Sequence, residues 1–413
     1  MFVIVQLISF ILMFYLARNA NKCLKILISI FVFSFCLQFL VGSEIWKDSS
    51  VTFLNVVFIN ICLLQIFLPW GKARISGVYY NSKGWGFFME PFLCTILFFN
   101  VLINLVLMVI IYTFMPNIAE LKAAQGYHEL YDSIPYFSIA FRYSYFTQNL
   151  GFLAFPYVFY YLSRKNKKMA AKFLLYSSSS LLCGFAFYSR AMMVTWVLVL
   201  ILYYYLVKDT ISVSVNRKIK KYAKYSMMIL ASFFLIISVV RFTAMDYYAD
   251  RIPKSSMIKD PVIYSLVDYA SCGYPNGLNL MDTYDERKNL KGEEIMQLSY
   301  QALAFFGYIK WNADISKEKK ARSFGDLLVV FKGYTCSMVY NVGYIWTFII
   351  GVFYYLYVNR ALSRKIVSIE SSMILVLLLI VPATAIFYCS YGAILTPMFF
   401  LMFFAITHKL IFK

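Results

Sequence analysis

Between Pro91 and Phe114 the chain reads PFLCTILFFNVLINLVLMVIIYTF, without one charged side chain. As a helix rising about 1.5 Å per residue, this stretch is long enough to cross a hydrocarbon core of about 30 Å. A helix apolar on every side is buried either at the centre of a large protein or in lipid. Composition decides for lipid. Of 413 residues, 61% are hydrophobic and only 14% charged, too little charge to cover a soluble surface of that size. The short alternating segments of a β-barrel are absent. The fold class expected is therefore all-α, a polytopic integral membrane protein.

Similar runs place eleven spans at about 1–17, 24–42, 51–70, 91–114, 137–162, 170–188, 191–207, 224–240, 334–357, 371–388 and 391–408. The fifth is the least regular, since it carries Arg142, Gln148, Asn149 and Pro156. The first has neither a basic leader nor a small-residue cleavage site, and reads as a retained span. Three regions follow. Residues 1–240 form a bundle of eight spans, 241–333 a large loop with amphipathic helices, and 334–413 a bundle of three.

Basic residues orient the chain. With the N-terminus outside, 22 of the 39 lysines and arginines fall in cytoplasmic segments and only Lys47, Lys122, Arg142 and Arg190 in short outer segments or span ends. Such an excess is the signature of cytoplasmic loops, so the N-terminus is outside and the C-terminus inside. The net charge of +19 is then an orientation signal, not the footprint of a nucleic-acid partner. The remaining 13 basic residues lie in the 241–333 loop beside 12 acidic ones. Within it, EEIMQLSYQALAFFGYIKW (Glu293 to Trp311) places Ile295, Leu298, Ala302 and Phe305 at helical spacing, an amphipathic helix. A smaller outer loop covers about 115–136. The eight cysteines show no CxxC pattern, and only Cys272 and Cys336 look placed for a disulfide on the outer side.

Nucleotide-loop, zinc-protease and nucleophile-elbow motifs are absent. Two histidines, His128 and His408, are too few for a metal centre or for a membrane acyltransferase. What remains is arginine at the outer boundary. Arg142 lies near the outer end of the fifth span, and Arg190 in the tight turn FAFYSRAMMV. Arg241 closes the eighth span in SVVRFTAMDYYADR, with Arg251 ten residues on. Positive charge is selected against on this side, and a guanidinium presents forked donors matched to phosphate oxygens. Converging there, these arginines suit a lipid-linked diphosphate and its departure as a leaving group. Tyr248, Tyr269 and Tyr274 offer flat rings to sugars. Asp246 and Asp250 are alternative general bases for an attacking hydroxyl. The bland alternative for each arginine is a snorkelling helix end.

Three stretches resemble the Wzy-type polymerases of O-antigen and capsule repeat units. They are the outer Ser189-Arg190 turn, the large loop entered through Arg241 and containing YSLVDYASCGYPNGLNLMD (Tyr264 to Asp282), and the re-entry segment FKGYTCSMVYNVGYIWTFIIGVFYYLY (Phe331 to Tyr357). In that family an acidic residue often precedes a glycine of the last tract. Asn341 stands at that place here, two residues before Gly343. The resemblance implies a metal-independent glycosyltransferase without cofactor, in a bacterial inner membrane. Its donor and acceptor are oligosaccharides on undecaprenyl diphosphate, joined on the periplasmic face. Arg190, Arg241 and one of the two aspartates would then be catalytic, and Arg142, Arg251, Tyr248, Tyr269, Tyr274 and Asn341 would bind substrate. A chain-length regulator and a flippase are the implied protein partners. The competing readings are an O-antigen ligase-like glycan transferase and a lipid-linked oligosaccharide flippase. The ligases usually carry a histidine in the large outer loop, which has none here. A flippase needs charges deep in several spans.

Overall fold

A computed structural model describes residues 2–42, 52–72, 74–81, 83–114, 138–186, 189–243, 252–296, 331–388 and 391–411. Among these, eight helices are long and apolar enough to cross a membrane. They are Lys22–Val41, Phe53–Gly71, Trp85–Phe114, Lys167–Ala186, Arg190–Thr210, Val213–Val240, Gly333–Leu362 and Tyr391–Ile411. Each coincides with an expected span. Two further expected spans are shorter apolar helices, Val3–Ala17 and Ile369–Thr384. The fifth is interrupted, with helix over Ser138–Thr147, a 3-10 stretch over Gln148–Ala154 and helix again over Phe155–Ser163. The chain is thus an all-α membrane protein. Among the described residues the β structure is one parallel pair, Gly77–Tyr79 with Ile366–Ser368. The apolar windows of Val213–Val240 and Tyr391–Ile411 are only 11% buried, leaving apolar faces that lipid solvates and water does not.

The chain forms two compact units. The first comprises Met1–Ala73, Ile252–Ser363 and Val381–Gly392. Phe10 packs edge-on against Phe31 and Phe35, and both of these meet the ring of Tyr274. Gln6 and Asn60 exchange amide hydrogen bonds beside that ring, and Tyr274 donates its hydroxyl to Gln6 Oε1 at 2.5 Å. Buried polar groups are tolerated because they satisfy one another.

The described part of the long segment after Arg251 belongs to this unit and is not a separate module. Its helix Pro261–Ser271 starts on an Asp260 cap, with proline in the first turn. It packs on Lys22–Val41, where Ser34 and Gln38 donate to the carbonyls of Ala270 and Ser271. The next helix, Gly273–Asp282, begins so close to residues 385–387 that a Cβ on Gly273 would sit 2.2 Å from the Ile386 carbonyl oxygen. Gly273→Ala is therefore expected to lower stability by about 1–3 kcal/mol through overpacking. A thermal melt of the detergent-solubilised protein measures it, and an unchanged midpoint would refute the close approach. Cys272 and Cys336 are free thiols, so no disulfide joins them: Cys336 faces the helix packing, fully buried. Of the expected helix from Glu293 to Trp311, only the turn at 293–296 is described, and the rest lies outside the described residues. The loop 115–136, with His128, also lies outside them.

Helix Gly333–Leu362 is two helices joined at Gly343, whose φ of 84° and ψ of 168° suit glycine almost exclusively. The break releases carbonyls from the helical ladder. Tyr340 and Asn341 oxygens accept instead from the Leu290 and Gly292 N–H groups, at 2.7 and 2.8 Å. The segment 289–296 is thereby fastened to the break.

The second unit comprises Arg74–Arg251, Arg364–Ile380 and Ala393–Lys413. A buried polar seam ties Trp85–Phe114 to Ser138–Thr147. Asn100 donates to the Ser144 carbonyl and to Thr147, and Ser144 donates to Asn104 Oδ1 at 2.7 Å. The 3-10 stretch after Thr147 meets a second irregularity at Ser177–Ser180. There Ser180 donates to the Gln148 carbonyl and Trp196 to that of Ser177. Serines and an indole thus satisfy backbone groups that two broken helices would leave bare in an apolar interior.

Candidate functional site

The tight turn with Ser189 opens the helix Arg190–Val207, and Ser189 N–H closes it on the Gly184 carbonyl at 2.7 Å. Arg190 is the first residue of that helix and is only 4% exposed. Its Nη1 donates to Ser238 Oγ at 3.3 Å. Arg241 lies three residues beyond Ser238, in the last turn of helix Val213–Thr243, about 4.5 Å further along the axis at the usual rise per residue. The two arginines therefore occupy the same end of the second unit.

Arg142 lies in the same unit but short of that end. Tyr112, near the end of Trp85–Phe114, donates to the Phe185 carbonyl, and Phe185 packs on Phe233. Along the polar seam Thr147 pairs with Asn100 and Ser144 with Asn104, so Arg142, two residues before Ser144 in the middle of helix Ser138–Thr147, lies near the level of Asn104 and short of Tyr112. Only the backbone placement of Arg142 and Arg241 is described. Asp246, Tyr248, Asp250 and Arg251 lie outside the described residues.

The electrostatics at Arg190 favour an anion. A guanidinium carries a permanent positive charge and a fork of donors matched to phosphate oxygens. The first turn of a helix adds the positive end of its dipole and outward N–H groups to the same spot. A basic residue there works against the helix dipole.

The remaining expected residues belong to the first unit. Tyr269 sets its ring 4.4 Å from that of Phe331, which packs on Tyr388. Tyr274 is buried among Phe31 and Phe35 as described above and acts there in helix packing. Asn341, 1% exposed, is part of a polar cluster that the sequence did not predict. Its Nδ2 donates to Glu294 Oε2 at 3.0 Å and to the Ser337 carbonyl at 2.7 Å, and its Oδ1 accepts from the Glu294 N–H at 3.2 Å. Glu294 also accepts from Lys332 Nζ at 2.9 Å and from Ser337 Oγ at 3.2 Å, and Tyr391 donates to Ser337. Asn341 is thus bonded to a carboxylate supplied 47 residues earlier in the chain. The paired glutamates Glu293-Glu294 were the only available signal, and nothing in the sequence linked them to Lys332.

A further carboxylate, Glu90, accepts from Tyr80 and Tyr161 hydroxyls at the other end of helix Trp85–Phe114. Burial, reinforced by Glu90, pushes the Tyr80 hydroxyl well above its ordinary range and keeps it protonated as a donor. Among the described residues no three His, Cys, Asp or Glu side chains converge on a metal position. Comparison of the chain with protein-family models, curated proteins and solved structures gives no match.

Proposed function

We propose that this protein is a polymerase that joins undecaprenyl-diphosphate-linked oligosaccharide repeat units on the periplasmic face of a bacterial inner membrane, through eleven spans with the N-terminus outside. One observation carries the reading: a nearly buried arginine opens a helix at the end of the second unit where the backbone of Arg241 also lies. That arrangement suits a diphosphate more than any neutral ligand.

In the reaction so read, the acceptor sugar's hydroxyl oxygen forms a bond to the donor's anomeric carbon. The bond from that carbon to the diphosphate oxygen breaks, and the electron pair leaves with undecaprenyl diphosphate. The hydroxyl proton passes to a carboxylate, with Asp246 and Asp250 as the candidates. Arg190 and Arg241 neutralise the departing charge, and Arg142 and Arg251 extend the grip on it. A chain-length regulator and a flippase are the partners this role requires. The flippase reading is disfavoured because the described spans carry almost no charge between their ends.

Deletion in the native strain, followed by glycan electrophoresis, tests the proposal. Loss of a polymerase leaves single repeat units attached to the lipid core. Carrier-bound polymer would instead identify a ligase, and complete loss of surface repeats a flippase.

A further inference from the structure

Beside the break at Gly343 lies a cavity of about 400 Å³ within the first unit. Asn289, Lys291, Asn341, Val342, Trp346 and Ile350 line it. Trp346 is 60% exposed, a large indole on the first turn after the kink. Its N–H is a donor, and its face is a flat apolar platform. Lys291 sits in a turn with φ of 52°, held by its own N–H on Asn289 Oδ1 at 2.7 Å.

The amides here are fixed rather than free to rotate. Asn289 donates one Nδ2 proton to the Tyr284 hydroxyl at 3.0 Å, which leaves a second proton and one oxygen lone pair for a ligand. The wall behind is set by Asn341, whose amide orientation is dictated by Glu294 and Ser337. An open site that combines a ring, a fixed amide and a cation, with apolar Val342 and Ile350 also in its lining, matches a small polyhydroxylated ligand. Among the described lining residues Lys291 is the charged one, and the nearby Glu294 carboxylate is paired with Lys332.

We infer that this cavity binds a sugar ring stacked on Trp346, and that Lys291 selects sugars bearing a carboxylate. Asn289 meets ring hydroxyls, while Glu294 is a positioning residue that acts through Asn341. The inference goes beyond the polymerase reading. Binding is measured without turnover, so either can fail alone.

The test uses the full chain in lipid nanodiscs, titrated with methyl glucuronide and with methyl glucoside by saturation-transfer NMR. Saturable binding of both is expected, tighter for the glucuronide. Trp346→Ala should weaken both roughly tenfold, the scale of one lost stacking contact. Lys291→Gln should erase the preference for the glucuronide and leave the glucoside unchanged. Both side chains are exposed, so the variants fold, and a thermal melt checks that they do. Absence of saturable binding to the unmodified protein, or Trp346→Ala binding as the parent does, overturns the site. A glucuronide preference that survives Lys291→Gln overturns the role of the lysine.

Discussion

Arg190→Lys is expected to abolish polymer formation, with a rate loss of about 10²–10³-fold, the scale of removing one oriented donor from a developing anion. Lysine keeps the charge but replaces a planar fork by a point, so a bidentate grip on phosphate oxygens is lost. The substitution should therefore fail as completely as Arg190→Ala. Glycan electrophoresis of a complemented deletion strain reads the outcome, with membrane abundance of the variant as the control. Were Arg190 only a snorkelling helix end, lysine would serve equally well, because its longer unbranched stem reaches an interface readily. The 4% exposure of Arg190 and its bond to Ser238 argue against that alternative.

The second large effect is on stability. Glu294→Ala should destabilise the protein by about 3 kcal/mol, the lower part of the range for breaking a buried ion pair by removing one partner. Lys332 is 3% exposed and Glu294 21%, so the carboxylate retains some contact with solvent while the ammonium has almost none. The same change removes the acceptor that Ser337 and Asn341 share, and with it the tie between segment 289–296 and the broken helix. Glu294→Ala combined with Lys332→Met should recover most of the loss, since a pair replaced on both sides leaves no stranded charge. Thermal unfolding in detergent measures both variants. A double variant as unstable as the single one would show that the ion pair is not what holds the segment.

Much of the helical layout was legible in the sequence because a bilayer-spanning helix is specified by length and apolarity alone. The run from Pro91 to Phe114 needed no tertiary information. The irregular elements did. Nothing local to Gln148–Ala154 announces a 3-10 stretch, because its backbone groups are satisfied by Ser180, which follows a loop and another helix. Likewise Gly343 read as one glycine in a helical tract. Its break is stabilised by Leu290 and Gly292, about fifty residues upstream.

At the site the pattern repeats. Arg190 stood out in the sequence as a charge in a short apolar turn, but its burial and its bond to Ser238, 48 residues away, did not. The Glu294–Lys332–Asn341 cluster was not legible, since it joins segments 38 and 47 residues apart. The packing of Tyr274 was hidden for the same reason. A tyrosine in a loop-like context resembles a sugar platform, and only the packing of Phe31 and Phe35 on its ring reveals a core residue.

The central claim is that a guanidinium at the head of helix Arg190–Val207 holds the carrier's diphosphate. Native mass spectrometry of the purified protein with undecaprenyl diphosphate addresses it without any need for turnover. The expected result is a retained one-to-one complex with the unmodified chain, weakened severely in Arg190→Lys, while undecaprenol binds neither. Equal retention of the diphosphate by both proteins would contradict the account.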